Sequence, residues 1–136
     1  MVATKVKIKK DLLNKIESSF SYIYEDGGIL GGNEEEITDF YIVKGNNKYS
    51  FEIDSKVFSQ IYEKWSESNI DFLGFIHSHT NCNNKVSLHD YMYVSKFLEA
   101  NPELDELLFA VANKDKGIQF YLFKDKDYKE IELDII

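Results

Sequence analysis

Gly74-Phe75-Ile76-His77-Ser78-His79 closes an apolar run that begins at Phe72. A short apolar run of this kind suits a strand buried on both faces. Residues two apart on an extended chain project to the same side, so His77 and His79 share one face at the strand's end. What flanks this strand sets the fold expected for the rest. Upstream, Val57, Phe58, Ile61 and Trp65 recur at helical spacing after Asp54 and Ser55. Downstream, polar Thr80 to Val86 leads to Ser87, after which Tyr91, Val94, Phe97 and Leu98 form a second helical stripe closed by Asn101-Pro102. Leu12, Leu13, Ile16, Phe20 and Ile23 predict a further amphipathic helix over residues 11–24.

The remaining patterns read as strands. Phe40 to Val43 and Tyr49 to Ile53 flank a Gly45-Asn46-Asn47 turn and predict a hairpin. Leu107 to Ala112 and Ile118 to Phe123 flank Asn113 to Gly117 and predict another. Lys5, Lys7 and Lys9 alternate with Val6 and Ile8, as on the wet face of a strand. Helices alternating with strands and hairpins predict an α/β fold, a mixed sheet packed by helices. At 136 residues, without an internal repeat or low-complexity linker, the expectation is one domain over 1–136.

Composition narrows the function classes. The net charge is −8 and all sixteen basic residues are lysine. Such a chain gains little from counterion release on nucleic acid and lacks the planar guanidinium that grips phosphate, so no nucleic-acid partner is expected. A single cysteine, Cys82, allows no intramolecular disulfide and fits a reducing compartment. With neither an apolar signal core after Met1 nor a run long enough to span a bilayer, the expected location is cytoplasmic and away from membranes. Nothing in the residues sets the oligomeric state.

Chemistry concentrates around the two histidines. Asp90 follows His79 across a turn-forming loop, so His77, His79 and Asp90 can converge as two imidazoles and a carboxylate. Three such ligands leave a tetrahedral zinc one open position, as catalytic zinc sites do. A plainer reading stands beside this. Ser87-x-x-Asp90 before an apolar stripe is also a capping box, and a capped helix would present Asp90 rigidly. Proton transfer needs a further carboxylate. Glu25, ahead of the Gly-rich Gly27-Gly28-Ile29-Leu30-Gly31-Gly32, is the best placed, before Glu34, Glu35 and Glu36. Asp26 is a shorter-armed substitute. Cys82 reads as a loop thiol. His89, turned about 100° from Asp90 on a helix, reads as a surface residue or a neighbour of the ligand. Trp65, Tyr91 and Tyr93 read as core or helix-face aromatics.

Glu25, His77-Ser78-His79, the seven residues Thr80 to Val86, Ser87 and Asp90 have the spacing of the JAMM motif at every position. The chain thereby resembles the JAB/MPN metalloprotease family, in its short prokaryotic form, from about Leu12 to Phe123. Thr80 stands where many members carry proline. The resemblance implies a cytidine-deaminase-like fold, a mixed curved sheet flanked by helices. It implies His77, His79 and Asp90 as zinc ligands, Glu25 as the base that activates water, and Ser87 as a donor to the developing oxyanion. The implied activity is peptide or isopeptide cleavage at the C-terminal tail of a ubiquitin-like or sulfur-carrier protein, or of its conjugate, with the tail lying along a sheet edge. Two alternatives remain: a non-catalytic MPN-type scaffold, and a RadC-like protein with a nucleic-acid role, against which the acidic charge argues.

Overall fold

In a computed structural model, which describes residues 5–48, 50–81 and 83–136, the strand ending at the histidines lies inside a seven-stranded sheet. Chain order is β1 (Lys5–Ile8), α1 (Lys10–Ser19), β2 (Gly27–Gly32), β3 (Glu36–Val43), α2 (Ser55–Glu67), β4 (Asp71–His79), α3 (Leu88–Ala100), β5 (Glu106–Asn113), β6 (Gly117–Lys124) and β7 (Asp127–Ile135). In space the order is β1-β3-β2-β4-β5-β6-β7, and β7 returns to β1.

This closure corrects the expected fold. The strands form a closed barrel with three helices, where a curved mixed sheet flanked by helices, of cytidine-deaminase type, was expected. Pairing between the two ends of the chain makes the difference. Lys5 to Ile8 run parallel to Glu132 to Ile135, while Lys7 and Ile8 also pair with Glu36 and Ile37 of β3. Closure removes most of the open edge along which a substrate tail was expected to lie. Short staggered flanks remain, among them β3 beyond Ile37.

Alternation along the strands divides the interior into two apolar clusters. One gathers Val6, Ile8, Leu30, Ile37, Ile76 and Phe120 with Leu13 and Ile16 of α1. The other gathers Ile29, Phe75, Phe109, Val111 and Phe123 beneath Ile61 and Trp65 of α2 and Val94 of α3. Fully burying a side chain of this size contributes about 1.5–3 kcal/mol, so both faces of the sheet are secured. Gly74 sits where β4 and β5 approach closely: a Cβ there would lie 1.8 Å from the Leu108 carbonyl oxygen.

Three local readings are also revised. α1 stops at Ser19 rather than reaching residue 24, because Phe20 is extended and Tyr22 adopts a left-handed φ of 59°. No strand forms over residues 50–53. Phe51 and Ile53 are buried in the cluster under α2, and that burial accounts for their alternation. Tyr49 and Cys82 lie outside the described residues. β7 was not anticipated, and it follows β6 through a turn in which Asp125 and Lys126 both have positive φ. Among the described residues no helix is long and apolar enough to cross a membrane.

Candidate metal centre

The site stands at the end of the barrel where β4 finishes. His77 and His79 share the face of β4 that carries Phe75, and α3 lies over that face. The His77 ring packs edge-on to Phe51 and Phe109 and against Tyr93, with centroids 5.0–5.3 Å apart. Ser87 caps α3: its hydroxyl accepts from the Asp90 N–H at 3.1 Å, and the Asp90 carboxylate accepts from the Ser87 N–H at 3.1 Å. The expected capping box is therefore present, and it aims Asp90 at the strand.

Asp90 then meets both histidines. Its Oδ1 lies 3.0 Å from His77 Nδ1 and its Oδ2 lies 2.8 Å from His79 Nε2, with all three residues buried. An ionised carboxylate only accepts, so each facing imidazole nitrogen carries a hydrogen. Burial alone would raise the Asp90 carboxyl, but the hydrogen bonds and charges of the two imidazoles outweigh it and hold it well below the usual range. Burial alone would lower the His79 imidazole. The Asp90 hydrogen bond and charge, with Glu25 adding to them, leave it raised.

Glu25 enters from the opposite direction. β2 pairs antiparallel with β4, Gly27 facing His77, so the chain before β2 runs back past Ser78 and His79. Its backbone N–H donates to the Asn47 carbonyl at 2.8 Å, and a Cβ on Gly45 would lie 1.8 Å from its carbonyl oxygen. The 44–47 segment thus lies tightly against Glu25. Burial pushes its carboxyl up to about 6; His79 opposes the rise, Asp90 adds to it, and His89 opposes it weakly.

Two imidazoles and a carboxylate are a catalytic zinc complement. Among the described residues His77 Nε2 is buried without a partner, and His79 Nδ1 has the Asn83 backbone nearby but no hydrogen bond of good geometry. Both are the ring nitrogens turned away from Asp90, so they do not mark a site shared with it. The Asp90 contacts, however, are hydrogen bonds. Tetrahedral ligands at ~2.0–2.1 Å from zinc stand about 3.3 Å apart, so the side chains would open slightly to admit an ion. Among the described residues no group of three or more His, Cys, Asp or Glu is set at metal-holding geometry. The residue types and their convergence fit zinc; the present spacing is that of a hydrogen-bonded triad.

Other candidates separate clearly. Asp26 is buried but points away from Glu25, its carboxylate accepting from Ser21 N (3.1 Å) and Gly45 N (2.8 Å) and standing 3.7 Å from Lys44 Nζ. It is a structural clamp, and strand alternation was the signal that could have assigned it so. His89 Nε2 lies 3.8 Å from Glu52 Oε2 at the margin of the site. Tyr93, read as a core aromatic, reaches His77 as well as accepting from Ile53 N. Glu34 lines a cavity of about 560 Å³ bordered by Asp71 and Glu106, at the other end of β4 and β5 from the histidines. Glu35 and Glu36 belong to that same turn into β3, remote from the histidines.

The chain matches no protein-family model and no curated protein. Solved structures do match its fold. The solution structure of protein DSY2949 from Desulfitobacterium hafniense superposes with a TM-score of 0.74 at 14% identity, covering 96% of this chain and 92% of that one. The crystal structure of AF2198, a JAB1/MPN domain protein from Archaeoglobus fulgidus, superposes with a TM-score of 0.63 at 13% identity, covering 98% of this chain and all of that one. The likeness at these identities is one of fold: the chain is built like a JAB1/MPN domain protein over nearly its whole length.

Proposed function

We propose that this protein is a zinc-dependent peptidase or isopeptidase acting at the C-terminal tail of a ubiquitin-like or sulfur-carrier protein, or of its conjugate. The observation that carries the reading is the convergence of His77, His79 and Asp90 in buried contacts of 2.8–3.0 Å, with Glu25 held beside His79. The JAMM spacing and the fold shared with a JAB1/MPN domain protein add to it.

His77, His79 and Asp90 would hold the ion. When bound, zinc polarises a carbonyl and lowers the pKa of water to about 7. The protein's own residues do the rest. Glu25, with a carboxyl near 6, is matched to proton transfer around neutral pH. Its carboxylate takes a proton from the attacking water and later gives it to the departing amine. The hydroxyl remainder ends on the carbonyl carbon as the carbon–nitrogen bond breaks. Ser87 Oγ accepts from the Asp90 N–H, which leaves its own hydrogen to be donated to the developing oxyanion.

The test is a panel of ubiquitin-like and sulfur-carrier fusions incubated with zinc-loaded protein and read by mass spectrometry. Cleavage at the end of the tail, abolished by Glu25→Gln, is the expected result. Intact fusions throughout would contradict the reading. One observation favours a second reading, a non-catalytic MPN-type scaffold: both Asp90 carboxylate oxygens are engaged in hydrogen bonds with the two imidazoles. A protein that refuses zinc yet keeps its fold would decide for the scaffold.

A further inference from the structure

The residue between the two histidines has its own set of contacts. Ser78 is fully buried and faces away from the histidines, as alternation along β4 requires. Its backbone N–H donates to the Asp26 carbonyl at 2.9 Å, making half of an antiparallel rung just beyond the start of β2. The return bond runs from the Asp26 N–H to the Ser78 hydroxyl, at 2.9 Å, and that hydroxyl lies 3.4 Å from the Asp26 carbonyl oxygen. A side chain thus completes a rung that a backbone carbonyl ordinarily would. Alanine there would leave a buried N–H without a partner, at a cost an otherwise tolerant site would not show.

Asp26 carries this link onward. Its carboxylate accepts from Ser21 N and Gly45 N, so the turn after α1 and the loop after β3 are tied to the same residue. The backbone of Glu25, one residue earlier, is fixed from both sides: its N–H by Asn47 and its carbonyl by the close approach of Gly45. Continuing the β2–β4 register beyond Gly27–His77 sets Glu25 opposite His79.

We propose that Ser78, acting through Asp26, is the positioning residue for Glu25, fixing its carboxylate beside His79. The inference rests on Glu25 being the base, and the experiment separates the two. Ser78→Ala, Ser78→Thr and Asp26→Asn are compared with the unaltered protein by three measurements. The first is the nuclear Overhauser contact between the Glu25 side chain and the His79 ring in metal-free protein. The second is zinc content, and the third is turnover of a tail fusion. Positioning predicts that Ser78→Ala loses the contact and at least tenfold in kcat, while KM and zinc content change less than twofold. Ser78→Thr, which restores the hydroxyl, should restore both, and Asp26→Asn, which keeps the backbone N–H bonded to Ser78 and removes only one carboxylate acceptor, should lose less than Ser78→Ala. A contact that survives in Ser78→Ala overturns the inference, as does a kcat loss that merely follows lost zinc. If the unaltered protein turns nothing over, the proposed base role fails, and the contact alone decides the clamp.

Discussion

Truncating Asp90 to alanine in metal-free protein should cost about 3–5 kcal/mol of folding stability. The carboxylate accepts from His77 at 3.0 Å, His79 at 2.8 Å and Ser87 N at 3.1 Å, all at a buried residue. Each hydrogen bond to a charged group contributes about 1.5–3 kcal/mol net, and half of a capping box adds about 1 kcal/mol. The lower end applies to the two imidazoles, because water can enter the space left by three atoms. The total falls in the range measured when one partner of a buried ion pair is removed, about 3–5 kcal/mol. For a chain of 136 residues the unfolding entropy is roughly 0.3 kcal/mol/K, so about 4 kcal/mol lowers Tm by about 14 °C. The assay is urea unfolding at pH 7 with chelator present, alongside Asp90→Asn, which keeps one acceptor and should lose less. A loss below about 1 kcal/mol for Asp90→Ala would refute the triad as a formed, buried contact.

Three further outcomes are expected. Metal-free protein should lose stability as pH rises from about 4.5 through 6. Glu25, raised to about 6, binds its proton more tightly folded than unfolded, and this effect reaches at most about 2 kcal/mol. His79, raised by its partners, extends the same decline above its ordinary value, and Glu25→Gln should remove the lower part and shrink the upper, both visible in Tm against pH. Gly74→Ala should lower Tm by about 3–10 °C, since a Cβ 1.8 Å from the Leu108 carbonyl forces β4 and β5 apart and overpacking costs about 1–3 kcal/mol. Glu25→Gln should keep bound zinc while turnover of a cleavable fusion falls by about 10²–10⁴, the usual worth of a positioned acid–base group.

Where apolar spacing and a local cap coincide, the chain announced its elements. Asp54 caps α2 through Lys56 N, and Ser87 caps α3, so both helices begin where the sequence pattern puts them. β4, β5 and β6 likewise follow their apolar runs. The barrel was not legible, because its closure depends on Lys5–Ile8 meeting Glu132–Ile135 across nearly the whole chain. The alternation of Ile131, Leu133 and Ile135 was visible, but Asp125-Lys126 turns with two left-handed residues and no glycine or asparagine to mark it. Phe51 and Ile53 alternate like a strand because both are buried, a pattern that irregular chain can share. In the site, spacing alone located His77, His79 and Asp90. Glu25 ranked ahead of Asp26 only by arm length; alternation into β2 already sets the two on opposite faces, and the Ser78 rung and Gly45 hold them there.

The central claim is that His77, His79 and Asp90 hold zinc. Elemental mass spectrometry on protein purified without chelator or polyhistidine tag, beside Asp90→Ala, tests it most directly. The account predicts close to one zinc per chain, lost in the variant. Protein that stays metal-free even after zinc is offered would contradict it and leave Asp90 as a helix cap bonded to two buried histidines.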